Sequence, residues 1–154
     1  MMKDATTITV RDVMTKSVIA VDSSITVNEA AKMMEDAKVG AVIVMEKNMP
    51  VGIITDRDFA VKIVAHAYPI TTSVKQIMSS PLITIGPNES VLMVADLMYT
   101  RGIRKLPVTE NDQVIGIITA TDLVNQLAIS TDDDIRKMYH ESIIKVYNQY
   151  SPYG

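Results

Sequence analysis

Gly52-Ile53-Ile54-Thr55-Asp56-Arg57-Asp58 returns 64 residues later as Gly116-Ile117-Ile118-Thr119-Ala120-Thr121-Asp122. The match extends outward from there. Arg11–Ala65 lies over Lys75–Ile129 at the same offset without a gap. Val13-Met14-Thr15 meets Ile77-Met78-Ser79, Thr26-Val27 meets Ser90-Val91, Ala31-Lys32-Met33-Met34 meets Ala95-Asp96-Leu97-Met98, and Val44-Met45-Glu46 meets Val108-Thr109-Glu110. An internal duplication takes priority over local signals, because it sets the kind of unit before any element is assigned. Two copies point to a pseudo-symmetric pair rather than an open array. Each copy alone is near the size at which a core becomes marginal, so the two are expected to pack as one module.

Each copy reads as strand, helix, strand, strand, helix, an α/β pattern. In the first, Val18–Val21 is a short β-rich run and Asp22-Ser23-Ser24 is turn chemistry. Thr26-Val27-Asn28-Glu29 has capping-box spacing, so a helix starts there. Val27, Ala30, Ala31, Met34 and Ala37 follow the helical period as one buried stripe. Ala41–Met45 and Val51–Thr55 are nearly all apolar strands joined by Glu46-Lys47-Asn48, as expected for strands covered on both faces. From Asp56 the chain turns helical, with Phe59, Ile63 and Val64 spaced to face a core. The second copy predicts a strand at Leu82–Ile85, a helix at Ser90–Thr100, strands at Lys105–Thr109 and Val114–Thr119, and a helix at Thr121–Ala128. Residues 8–68 and 74–130 are thus the two repeats, with a linker at His66–Ser73 around Pro69.

Residues 131–154 belong to neither copy. Ser130-Thr131-Asp132-Asp133-Asp134 supplies hydroxyl and carboxylate caps, and its acid suits a helix N-terminus. Ile135, Met138, Ser142, Ile143, Val146 and Tyr150 then lie along one helical side, with Lys145 near the far end. The tail helix is expected to cover apolar surface of its own chain or of a second copy; the alternative is a docking element for another protein.

Composition narrows the function classes. The 154 residues are 47% hydrophobic and 21% charged, with no Trp and no Cys. Disulfides, thiolate chemistry and Cys-based zinc sites are therefore absent. A net charge of −3 gives no basic footprint for nucleic acid or an acidic membrane. No apolar run reaches the length of a membrane span, and MMKDATTITVRD has no signal-peptide core. A soluble cytoplasmic protein is the expectation. His66 and His140 fall in different elements and suggest solvated surface rather than a metal site. There is no G-x-x-x-x-G-K-[ST] loop, and no nucleophile–base pair can be assembled. The methionines fall on helical stripes and read as core filler.

The chemistry lies in the duplicated Gly-x-x-Thr-x-x-Asp. Each follows a buried strand and opens a helix, which places a hydroxyl, unpaired backbone N–H groups and a carboxylate at one point, prepared for a polar ligand. A carboxylate accepts two hydrogen bonds from a vicinal diol such as a ribose 2′,3′ pair. The alternative is that Asp58 and Asp122 only cap their helices.

These segments carry a family resemblance. With Val13-Met14-Thr15, Val39-Gly40-Ala41-Val42-Ile43-Val44 and Ile103-Arg104-Lys105-Leu106-Pro107-Val108, they make residues 8–129 resemble a tandem pair of CBS domains, the module named after cystathionine β-synthase and also called a Bateman module. The resemblance implies a regulatory binding module rather than an enzyme. It further implies that no cofactor is required and that adenosine compounds such as AMP, ADP or ATP would bind in two clefts between the copies. Carried over by residue, one cleft would use Thr119, Thr121 and Asp122 for the ribose and Arg104 and Lys105 for phosphates. Backbone at Thr15–Val18 and Val39-Gly40-Ala41 would frame the adenine. The mirrored cleft would use Thr55, Arg57 and Asp58, with Ser79–Leu82 and Ile103–Lys105. The copies are unequal: Gly40-Ala41 stands where the other has Arg104-Lys105, and Thr121 where the other has Arg57. Arg57, Arg101 and Arg104 read equally well as solvated charges. The resemblance further implies energy sensing, a homodimer and a separate effector protein. An interaction protein with empty clefts, an S-adenosylmethionine binder and a nucleic-acid binder are the alternatives, the last opposed by the charge.

Overall fold

The computed structural model describes residues 8–129 and 133–148, without the side chains of Leu127, Asp134 and Ile135. The elements run α1 (Val10–Val13), β1 (Ala20–Asp22), α2 (Val27–Ala37), β2 (Ala41–Glu46), β3 (Met49–Thr55), α3 (Asp56–Asp58), a π-helical turn Phe59–Val64, α4 (Val74–Ile77), α5 (Val91–Arg101), β4 (Lys105–Glu110), β5 (Gln113–Thr119), α6 (Ala120–Ile129) and α7 (Asp133–Asn148). The chain divides into two units. One is Ser17–Ile83; the other joins the residues up to Lys16 to those from Thr84 onward. No helix among the described residues is long and apolar enough to cross a membrane.

In the Ser17–Ile83 unit, β2 and β3 form an antiparallel hairpin and β1 adds in parallel to β2. Lys47 and Asn48 both take positive φ, the two-residue turn whose twist suits a hairpin. Thr26 and Glu29 form the predicted box: Glu29 N–H donates to Thr26 Oγ1 at 3.2 Å and Thr26 N–H to Glu29 Oε2 at 2.9 Å. Val21, Val27, Ala30, Met34, Val42, Val44, Ile54, Ile63, Val74 and Ile77 are the core. A fully buried side chain such as Ile54 contributes about 1.5–3 kcal/mol. Ala31 and Ala37 prove exposed, which narrows the α2 stripe. Val64 is 76% exposed, because the wider π-helical turn carries it past the face that Ile63 occupies.

The second unit repeats the hairpin as β4–β5, with Asn111 and Asp112 in the turn. Its expected first strand at Leu82–Ile85 shrinks to one parallel bridge, Ile85 to Val108. The cause is two prolines. In the first copy Ile43 N–H donates to Ile19 C=O and Ser23 N–H to Met45 C=O. Pro107 and Pro87 occupy the positions of Ile43 and Ser23 and have no N–H to give. Only the inner pair remains, Ile85 N–H to Pro107 C=O and Thr109 N–H to Ile85 C=O. The tail helix α7 packs on α5 and α6 of its own unit. Its buried residues are Tyr139, Ile143 and Val146, while Met138 is 39% exposed, so the stripe is turned by about one residue from the expected one. Ser130, Thr131, Asp132, the Ile135 side chain and Tyr150, also expected in the capping run or the stripe, lie outside the described residues.

The units do not follow the repeat boundaries, because each repeat's lead-in segment docks on the other repeat's hairpin. Thr15 exchanges backbone hydrogen bonds with Ile117, and Ser79 does so with Ile53, all at 2.9–3.1 Å. Val10 N–H donates to Glu89 C=O as Val74 N–H does to Ile25 C=O. The glycine that opens each G-I-I-T makes room. A Cβ on Gly52 would stand 2.6 Å from Met78 Sδ and 2.9 Å from Ser79 O; on Gly116, 2.7 Å from Met14 Sδ and 2.9 Å from Thr15 O.

Candidate functional site

Each hairpin's last residue is a threonine whose backbone is still extended when the next helix begins. That geometry leaves its own N–H pointing at the first helical turn, where a carboxylate three residues on can accept it. In the Ser17–Ile83 unit, Thr55 N–H donates to Asp58 Oδ2 at 2.8 Å and Thr55 Oγ1 approaches the same oxygen at 3.3 Å. In the other, Thr119 N–H donates to Asp122 Oδ2 at 2.8 Å and Asp122 N–H returns to Thr119 Oγ1 at 3.2 Å. Both aspartates therefore cap their helices. Capping employs one carboxylate oxygen in each case, so the two units are separated by what the other oxygen meets.

At Asp58 that oxygen is engaged. Lys62 Nζ lies 3.0 Å from Oδ1, one helical turn on, and also donates to Ile77 C=O at 2.6 Å. The pair is inset, with the Asp58 side chain 12% exposed and that of Lys62 37%. The duplication puts Gln126, a neutral amide, at the Lys62 position of the second copy. Asp122 is half-buried, and its hydrogen bonds among the described residues both go to Thr119.

The remaining expected residues sort by unit. With Asp122 are Thr15, held to Ile117; Ile103, whose N–H donates to Met98 C=O; Arg104, whose C=O accepts from Ala120 N–H at 2.9 Å; Lys105, opposite Thr119 in the hairpin; and the exposed Thr121. With Asp58 are the half-buried Val18, Val39, Gly40, Ala41 and Leu82, and the exposed Arg57 and Ser79. Gly40 C=O accepts from Asp56 N–H at 3.1 Å and Ala41 pairs with Thr55. The expected service of Val18 and Val39–Ala41 to Asp122, and of Ile103–Lys105 to Asp58, joins residues of different units. Among the described residues no group of His, Asp and Glu is arranged to hold a metal ion.

Two residues escaped the sequence reading. Lys62 stands four positions after Asp58, a spacing that by itself signals an ion pair on a helix. Tyr147, near the end of α7, lies with its ring centroid 4.6 Å from the Arg104 guanidinium carbon. Nothing local in sequence joins those two.

The duplication agrees with comparison to known proteins. The CBS domain model matches twice, at residues 10–65 and 74–129. The chain belongs to the CBS-domain family. Among CBS-domain relatives, YhcV of Bacillus subtilis is 35% identical over 136 residues, covering 87% of this chain and 97% of its own. A solved structure of an uncharacterized conserved protein from Pyrococcus horikoshii superposes with a TM-score of 0.76 at 26% identity, over 82% of this chain and 97% of that one. The CBS domain pair of protein MJ0100, solved with 5′-methylthioadenosine and S-adenosyl-L-methionine, superposes with a TM-score of 0.72 at 29% identity, over 79% and 96%.

Proposed function

We propose that this CBS-domain protein is a regulatory module that binds an adenosine compound of the AMP, ADP or ATP class and reports occupancy to a partner protein. The observation that carries the reading is the Thr119–Asp122 box with its second carboxylate oxygen left over from capping, in a unit where Lys105 on β4 pairs opposite Thr119 and the carbonyl of Arg104, just before β4, accepts from Ala120 N–H. A ribose diol donates to the carboxylate. The two cations, absent at Gly40-Ala41 of the other copy, attract phosphate. The ligands of MJ0100 favour a second reading, S-adenosylmethionine or methylthioadenosine, which share the adenosine but carry no phosphate. Sensing requires that the ligand prefer one arrangement of the protein. The same reading includes a homodimer, supported by exposed Met33, Val61 and Val64 and checked by sedimentation.

A thermal-shift screen followed by calorimetry with AMP, ADP, ATP, NAD, S-adenosylmethionine and methylthioadenosine tests it. A ligand bound only by the folded state at ~100 times its Kd adds ~2.7 kcal/mol of stability. The diol role predicts that 2′-deoxy-AMP binds about 10-fold or more weakly than AMP. Equal affinity for the two defeats the assignment of Asp122 to the ribose.

A further inference from the structure

We infer that Tyr147 is a specificity-determining residue, which competes with ligand phosphate for Arg104 and so makes the hold on the tail helix depend on what is bound. This rests on the reading of the Asp122 unit as an adenosine site. Three observations lead to it. The Arg104 backbone is fixed at the head of α6, since its carbonyl accepts from Ala120 N–H. Its position relative to the Thr119–Asp122 box is therefore set, and only the side chain has a choice of partner. That side chain now lies over the Tyr147 ring, with 4.6 Å between guanidinium carbon and ring centroid. Finally, Tyr147 follows Val146, the last buried anchor of α7, whose buried stripe Tyr139, Ile143 and Val146 holds that helix in its unit.

A ring face attracts the guanidinium through its quadrupole; a phosphate does so through full charges and paired hydrogen bonds. A phosphate drawn into the site therefore displaces the ring. The ring raises the threshold for phosphate ligands but leaves adenosine untouched, because adenosine has nothing to offer Arg104. The other unit has Gly40 at the position of Arg104, so the device belongs to one half of the duplication.

The test is calorimetry of the full chain and of Tyr147→Leu and Tyr147→Phe with AMP, ADP and adenosine, together with hydrogen exchange of residues 140–148 in the wild type. The expected result is about two- to fivefold tighter AMP and ADP binding in Tyr147→Leu. Adenosine affinity should be unchanged, and Tyr147→Phe should match the wild type. In the wild type, AMP should speed exchange at the end of α7 and adenosine should not. Unchanged or weakened AMP binding in Tyr147→Leu overturns the competition, the latter meaning that the ring pre-positions Arg104. If Tyr147→Leu fails to fold, the wild-type exchange result decides: slower or equal exchange with AMP overturns the inference. A wild type that binds neither AMP nor adenosine overturns the adenosine reading itself, and this inference with it.

Discussion

Asp58 and Asp122 begin from the same backbone device and end in different company. One oxygen of each carboxylate accepts the N–H of a threonine three residues back at 2.8 Å. At Asp58 the other oxygen is held by Lys62, and the chain continues into a π-helical turn; at Asp122 the residue corresponding to that lysine is Gln126, and the helix is α throughout. In this unit Arg104, just before β4, is tied by its carbonyl to Ala120 N–H at the head of α6, and its guanidinium lies over Tyr147. Duplication has kept what the backbone needs and let the second oxygen diverge. The first unit uses both oxygens of its aspartate to hold itself together, whereas in the second the capping contact takes one oxygen, and the proposed ligand role falls to the other.

The largest effects should show where the units are alike. Gly52→Ala and Gly116→Ala each force a Cβ against a backbone carbonyl oxygen 2.9 Å away, so each should cost about 1–3 kcal/mol in urea denaturation. Similar losses are expected, since both lead-ins dock in the same way; a neutral result at one glycine would break the equivalence. The aspartates should then separate the units. Asp58→Ala removes a cap and strands Lys62, with a loss of about 1–2 kcal/mol in stability. Asp122→Ala should cost about 1 kcal/mol or less, with adenosine affinity falling about 10-fold or more. The reverse ranking in melting would show that Lys62 contributes nothing. Next comes transplanting the difference. Gln126→Lys should weaken adenosine binding about two- to fivefold by giving Asp122 the charged partner Asp58 has; unchanged affinity would remove the second oxygen from the argument.

The smallest effect concerns a turn that both units make but that carries a carboxylate in one only. The Asp22 carboxyl is held below its ordinary value of 3.8, first by the Ser24 hydroxyl and then by the Ser24 N–H. A depressed folded value stabilises above the unfolded pKa, and that contribution disappears as pH falls through the folded one, below 3.8. Ser24→Ala should raise the Asp22 pKa, read by NMR titration. Gly86-Pro87-Asn88 has no carboxylate at the matching place and gains nothing in this window.

The hairpins, α2, α5 and α6 were legible because apolar runs, turn residues and caps are local signals, and because each appeared twice. The same comparison misled at Leu82–Ile85, where Pro87 and Pro107 delete donors on both sides of a strand whose side chains look suitable. The boxed aspartates could be read from spacing. The π-helical turn that exposes Val64 could not, since a helical period assumes the α pitch. Tyr139 was passed over in favour of Met138 because a stripe read from hydrophobicity undervalues a tyrosine. The Arg104–Tyr147 contact joins residues 43 positions apart and leaves no trace in local pattern.

The exchanged lead-ins bear on how such a chain can arise. A single repeat would carry a glycine notch with nothing to fill it and a Val-Met-Thr or Ile-Met-Ser hook with nowhere to rest. Two separate copies could satisfy each other by trading hooks, as in domain-swapped pairs. Joining the end of one to the start of the next would then convert a bimolecular partnership into an intramolecular one, at the entropic cost of a short loop. On this view the segment around Pro69 serves as a tether between two copies that the exchanged hooks already hold. A chain cut there would retain its partner through the hooks, and a chain truncated there would leave half of an unfulfilled exchange.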